Sequence, residues 1–99
     1  MDKKTYLYKI TAKVDVSENM SDHTAEVMRR HFQYLKELLE NGILFLAGPC
    51  LDREFGIAIF YADSDEEAEA IMKKDPSISE GVMNGELHPF RISLSQSSK

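Results

Sequence analysis

The order of hydrophobic patterns along the chain constrains its fold more than any other feature. Apolar and polar residues alternate from Tyr6 to Val14, which is typical of a half-buried strand. Two short, continuous apolar runs, over 43–47 and 57–61, predict strands that are buried on both faces. Alternation returns over 90–94 and predicts a fourth strand.

Two helix patterns separate these strands. Ser21 or Asp22 can cap a first helix, and Gly42 can end it in a left-handed conformation. Ser64 begins a capping box and a second helix, because a glutamate follows three residues later. Asp75, which precedes a proline, is expected to stop this helix.

The resulting order, βαββαβ, predicts an α+β fold of the ferredoxin-like type. Such a fold has a four-stranded antiparallel sheet with its helices on one face. The chain, 1–99, is then a single domain with a core over about 5–94 and a polar tail over 95–99.

The open face of this sheet predicts a homodimer. Cys50 is the single cysteine, so no internal disulfide can support this small core. An apolar sheet face on a small monomer is not expected to stay in water. We therefore expect it to pack against the same face of a second copy, with the question of larger assemblies left open.

Charge and hydropathy exclude several classes of partner. The chain has 12 basic and 17 acidic residues, a net charge of −5, which argues against binding to nucleic acid. No apolar run approaches the roughly 18–20 residues that span a bilayer. No signal-peptide stretch follows the N-terminus, and a lone thiol suits a reducing compartment, so we expect a cytoplasmic protein.

His31 is the most informative residue of the first helix. At about 100° per residue it falls within the apolar stripe that includes Met28, Phe32 and Leu35. One interpretation is a neutral core histidine that is satisfied by a backbone carbonyl. The other is a general acid or base at the floor of a cleft, oriented by a carboxylate that accepts its Nδ1 hydrogen.

Asp75 is the best candidate for that carboxylate, although it also fits a helix stop with a local turn hydrogen bond. The other histidines, His23 and His88, have no zinc-like spacing and no accompanying cysteine cluster, so no metal site is predicted. Proton transfer by a histidine needs neither a metal nor an organic cofactor. Nothing near Cys50 suggests a reactive thiol.

Taken together, these motifs resemble the YCII-related family over about residues 5–94. The resemblance is carried by the order and spacing of short motifs: His31-x-x-Tyr34-Leu35-x-x-Leu38, Gly42, Ala47-Gly48-Pro49, Asp52, Gly56, Ala62-x-Ser64, Glu67-Ala68, Asp75-Pro76, Gly81 and Pro89-Phe90.

The resemblance implies a dimeric α/β barrel of ferredoxin-like protomers, with His31 and Asp75 as the catalytic pair. It also makes Gly48 and Pro49 a candidate pocket rim, although a strand-ending turn also explains them. Family members commonly carry an aromatic residue after Asp-Pro. This chain has Ser77 there and Ser79 two residues on, so we expect hydroxyls in place of an aromatic wall.

These inferences predict a small-molecule enzyme that transfers a proton on a small cyclic or unsaturated acid or lactone. His31 would be the acid and base, and Asp75 would stabilise the imidazolium. Tyr34 could offer its hydroxyl to a ligand or could simply pack in the core. The alternatives are a non-catalytic module that binds a small ligand, and a structural dimer. A few family members act in the breakdown of chlorinated or hydroxylated aromatic rings.

Overall fold

A computed structural model describes residues 4–52 and 54–96 of the chain. The strands of this part of the chain are β1 (Lys4–Ala12), β2 (Leu44–Pro49), β3 (Gly56–Ala62) and β4 (Met83–Pro89), and the helices are α1 (Asp22–Glu40), α2 (Asp65–Lys73) and the short α3 (Pro76–Ser79). The strands form one antiparallel sheet in the order β2-β3-β1-β4. This architecture confirms the ferredoxin-like α+β prediction.

Local sequence signals set the ends of the two long helices. The Ser21 hydroxyl accepts a hydrogen bond from the Thr24 amide, so it satisfies one of the free N–H groups at the start of α1. Gly42 follows α1 with a φ of 76°, a conformation that favours glycine. The Ser64 hydroxyl caps α2 in the same way, on the amide of Glu67.

The core lies between the sheet and the helices. Alternate residues of β1, namely Tyr6, Tyr8 and Ile10, face the helices and are at most 7% exposed. The ring of Phe60 on β3 contacts both tyrosine rings, with centroid distances of 5.9 and 5.7 Å. This one continuous apolar layer fixes the register of the two central strands.

The prediction for the fourth strand was wrong in position. β4 occupies Met83–Pro89, and the alternating stretch 90–94 that follows it forms neither helix nor strand. In β4, Met83, Gly85 and Leu87 pair with inward-facing residues of β1, so the middle inward position carries no side chain. The hydrophobic alternation of the true strand is therefore weak, and the sequence pattern favoured the stretch beyond it.

The prediction that β2 is buried on both faces was also wrong for a single chain. β2 is an edge strand, and Phe45 and Leu46 are 40% and 43% exposed. Leu46 pairs with Ile59 of β3, which in turn pairs with Leu7 of β1, so these three side chains share the sheet face that no helix covers. The open face thus carries an apolar row.

The predicted polar tail lies partly outside the described residues, because 97–99 are not described. Among the residues that are described, no helix is both long and apolar enough to span a membrane.

Candidate active site

His31 and Asp75 are in direct contact, although 44 positions separate them in the sequence. The Nδ1 atom of His31 lies 2.8 Å from Oδ1 and 2.9 Å from Oδ2 of Asp75. An ionised carboxylate can only accept hydrogen bonds, so Nδ1 carries the hydrogen and donates it. In the neutral ring, the lone pair is therefore on Nε2.

Asp75 is held in place by its position between two helices. It lies two residues after the end of α2, and it caps α3, whose first residue is Pro76. The proline keeps Asp75 in an extended conformation, with φ −64° and ψ 121°. Both interpretations of the sequence therefore describe this residue, because it makes the local turn hydrogen bond and also contacts His31.

The Asp75 carboxylate is fully buried and surrounded by donors. Besides His31, the Tyr8 hydroxyl donates to Oδ2 at 2.7 Å. The Ser77 amide and the Ser77 hydroxyl both donate to Oδ1, at 2.9 and 2.8 Å. Asp75, Tyr8 and Ser77 have no exposed surface. A buried charge is tolerated only where its lone pairs are satisfied, and this arrangement does so.

These contacts determine the charge of Asp75. Burial by itself favours the neutral acid. The hydrogen bond and charge of His31, together with the Tyr8 hydroxyl and the Ser77 amide, favour the anion and hold the pKa of Asp75 below its usual range. Burial and the charge of Asp75 raise the pKa of Tyr8 far above its ordinary value, so this hydroxyl remains a donor.

An open cleft of about 850 Å³ lies beside His31. It is bounded by α1, by β2 and by the segment that follows β1. Most of its lining is apolar: Ile10, Ala12, Val16, Met20, Met28, Phe32, Leu35, Leu39, Leu44, Phe45, Leu46, Ala47, Pro49, Phe55, Ile57 and Met83. The charged residues of the lining are Glu18, Lys36 and Glu54. Such a lining fits a small ligand that is largely apolar.

His31 links this cleft to Asp75. Its side chain is 13% exposed and lines the cleft, whereas Asp75 lies behind it. Among residues 4–52 and 54–96, no group hydrogen-bonds to Nε2, and no fully buried side-chain nitrogen or oxygen lacks a partner. Nε2 is therefore open to a ligand, and its lone pair can accept a proton from one.

The other residues suggested by the sequence occupy two different places. Gly48 and Pro49, on β2, line the cleft. Tyr34 does not: its hydroxyl donates to the Ile71 carbonyl at 2.6 Å, and burial with the charge of Asp75 raises the pKa of Tyr34 to about 12. Ser77 is buried against Asp75, and Ser79 is exposed outside the cleft lining. Ser77 therefore contacts Asp75 and does not line the cleft.

Sequence reasoning missed Tyr8. A signal was present, because Tyr6 and Tyr8 both lie on the buried face of β1, and a buried tyrosine hydroxyl needs a partner. The identity of that partner depends on where the fold places Asp75 relative to β1, which no local pattern reveals. In the described part of the chain, no three His, Cys, Asp or Glu side chains come together as a metal site would require.

Comparison with known proteins gives a family and similar folds among solved structures. Muconolactone isomerase superposes with a TM-score of 0.72 over 96% of this chain and 97% of that chain, at 18% identity. The 5-chloro-2-hydroxyhydroquinone dehydrochlorinase of Burkholderia phenoliruptrix, in complex with 2,5-dihydroxybenzoquinone, superposes with a TM-score of 0.60 over 86% and 93%, also at 18% identity. No curated protein sequence matches significantly. The profile of the YCII-related domain matches residues 6–91, so the chain belongs to the YCII-related family.

Proposed function

We propose that this protein is a small cytoplasmic enzyme that moves a proton on a cyclic or unsaturated acid or lactone. The observation that carries the proposal is the contact between His31 and a buried Asp75 beside an apolar cleft. A histidine held in this way has one nitrogen bound and one free, which is the arrangement that general acid–base catalysis needs.

The proposed step uses only these two side chains. Nε2 of His31 takes a proton from a carbon next to the carbonyl or double bond of the substrate. The C–H bond breaks, and its electron pair passes into the conjugated system. Asp75 stabilises the imidazolium that forms. The Nε2 proton of the imidazolium exchanges with solvent, and the imidazolium then gives a proton to another carbon, which yields the isomer.

The names of the two similar structures support this substrate class. One is an isomerase of a lactone, and the other removes chlorine from a hydroxylated ring and was solved with a quinone. Both names concern small cyclic molecules. The apolar lining of the cleft suits such a ring, and the single Lys36 among the lining residues offers one cation for an acid group.

We also propose that the active unit is a homodimer. Leu7, Ile59 and Leu46 form an apolar row across the open sheet face, and Phe45 packs edge-on against Tyr61 beside it, at 6.3 Å. A second copy placed face to face would remove this row from water without touching the cleft-side surface of α1.

Proton exchange with solvent tests the catalytic proposal. The protein is incubated in D₂O with a panel of unsaturated lactones and cyclic acids that includes muconolactone, and deuterium incorporation at carbon is followed by NMR. We expect exchange into at least one member, and a loss of about 100-fold or more in His31→Ala. His23→Ala is the matched control, because His23 is an exposed histidine of the same helix.

Two outcomes would contradict the proposal. One is exchange that continues at the wild-type rate in His31→Ala. The other is a panel in which members bind in the cleft but none gains deuterium, which would favour the alternative of a ligand-binding module.

A further inference from the structure

The Asp75 carboxylate has more hydrogen-bond donors than the orientation of a histidine requires. One backbone amide and the His31 ring would position it, yet two further hydroxyls, from Tyr8 and Ser77, also donate to it. They approach both oxygens: Tyr8 donates to Oδ2 and Ser77 to Oδ1.

These hydroxyls compete with His31 for the charge of the carboxylate. Hydrogen bonds to an anion stabilise it and make it a weaker base. A weaker base draws less on the Nδ1 hydrogen and gives less stabilisation to the imidazolium. Because all the groups are buried, water cannot replace either hydroxyl freely, so the effect of each one reaches His31.

We propose that Tyr8 and Ser77 are positioning residues that hold Asp75 and set the pH at which His31 takes up its proton. The inference deepens the proposed function and rests on it for its catalytic meaning.

Other charged or titratable groups near the pair come from each of the surrounding elements. On α1, Arg30 pairs with Glu26 at 2.9 Å and with Glu80, which follows α3, at 3.2 Å. Tyr34 of α1 is bonded to a carbonyl of α2, and the cleft contributes Glu18, Lys36 and Glu54. The substitutions chosen below leave all of these groups in place.

The test follows the titration of the His31 ring by NMR, without any substrate. Tyr8→Phe and Ser77→Ala each remove one hydroxyl from Asp75. Tyr6→Phe is the matched control, because Tyr6 lies on the same face of β1 and packs on the same Phe60, but donates its hydroxyl to Asp65 at 2.6 Å.

We expect the midpoint of the His31 titration to rise in Tyr8→Phe and in Ser77→Ala. Each rise should be larger than any change in this midpoint between wild type and the control Tyr6→Phe. A midpoint in Tyr8→Phe that is lowered or equals that of Tyr6→Phe would overturn the inference. If Tyr8→Phe does not fold, the titration of His31 in Ser77→Ala alone tests the inference. The result is independent of substrate, so it stands or fails separately from the exchange experiment above.

Discussion

Asp75 shows how one buried carboxylate can serve both the fold and the site. Its Oδ1 caps α3 through the Ser77 amide, while both oxygens accept from His31. The local role keeps the side chain in one conformation, so the contact with His31 needs little further ordering. A residue that only capped a short helix would not require complete burial with four donors around it.

The charge of Asp75 predicts a specific loss of stability in acid. Its folded pKa is lowered, so its contribution is present above the unfolded pKa and is lost as the pH falls through the folded pKa. Asp75→Asn keeps the shape but replaces one acceptor oxygen with an amide group. We expect a loss of about 1–3 kcal/mol near neutral pH, measured by urea unfolding.

The difference between wild type and Asp75→Asn should shrink below about pH 4, where an unfolded aspartate takes up its proton. Asp63→Asn is the control, because it changes an exposed aspartate whose side chain has no hydrogen bond in the described residues. A difference that stays constant from neutral pH into acid would show that the charge of Asp75 does not contribute.

At the scale of single residues, the sequence could point to His31 and to Asp75 separately, but not to their contact. His31 stands out because it interrupts an apolar helix stripe, and Asp75 because it precedes a proline. Their separation of 44 positions is bridged only when α1 packs beside α3. The same packing brings in Tyr8, which explains why local patterns did not identify it.

Among the elements, β4 shows where pattern reading fails for a physical reason. Its central inward position is Gly85, and a Cβ there would lie 2.6 Å from Ile78 Cδ1 and 2.9 Å from Met72 Sδ. The side chains of α2 and α3 occupy the space that an apolar strand residue would normally fill. The strand therefore lacks the alternation that 90–94 displays.

Gly85→Ala should destabilise the protein by about 1–3 kcal/mol, because the added methyl group overpacks the layer between β4 and the helices. Gly48→Ala is the matched control in another strand, since a Cβ there meets nothing within 4 Å. Thermal unfolding of both variants provides the measurement. Equal midpoints for the two would contradict the packing of Ile78 and Met72 on this strand.

The two long helices and β1 were predictable because their signals are local. The Ser21 and Ser64 caps and the positive φ of Gly42 are each determined by neighbours within one helical turn. The burial of β2 was not predictable in this way. Its apolar run over 43–47 reads as a central strand, but the sheet order places it at an edge, where Phe45 and Leu46 remain exposed in the single chain.

For the whole molecule, the apolar edge and open face carry the proposal of a dimer. Leu7→Lys would place a charge within the proposed interface, on a residue of the apolar row that does not line the cleft, so we expect it to weaken dimerisation by about tenfold or more. Leu39→Lys is the control, because Leu39 is an exposed leucine that belongs to α1, on the other side of the sheet. Analytical ultracentrifugation over a micromolar concentration range measures both.

Two results would contradict the dimer: a wild-type protein that sediments as a monomer throughout this range, or a dimer that Leu7→Lys leaves unchanged and Leu39→Lys disrupts. The second result would move the interface to the cleft side of the sheet, and the cleft would then be closed by the partner.

The protonation of the His31 ring tests the central claim most directly. Nitrogen-15 NMR distinguishes the two neutral tautomers of a histidine, and a crystal structure at ordinary resolution does not. The account predicts that neutral His31 carries its hydrogen on Nδ1, bound to Asp75, with the lone pair on Nε2 facing the cleft. A neutral ring with its hydrogen on Nε2 would contradict it, because no base would then face the substrate.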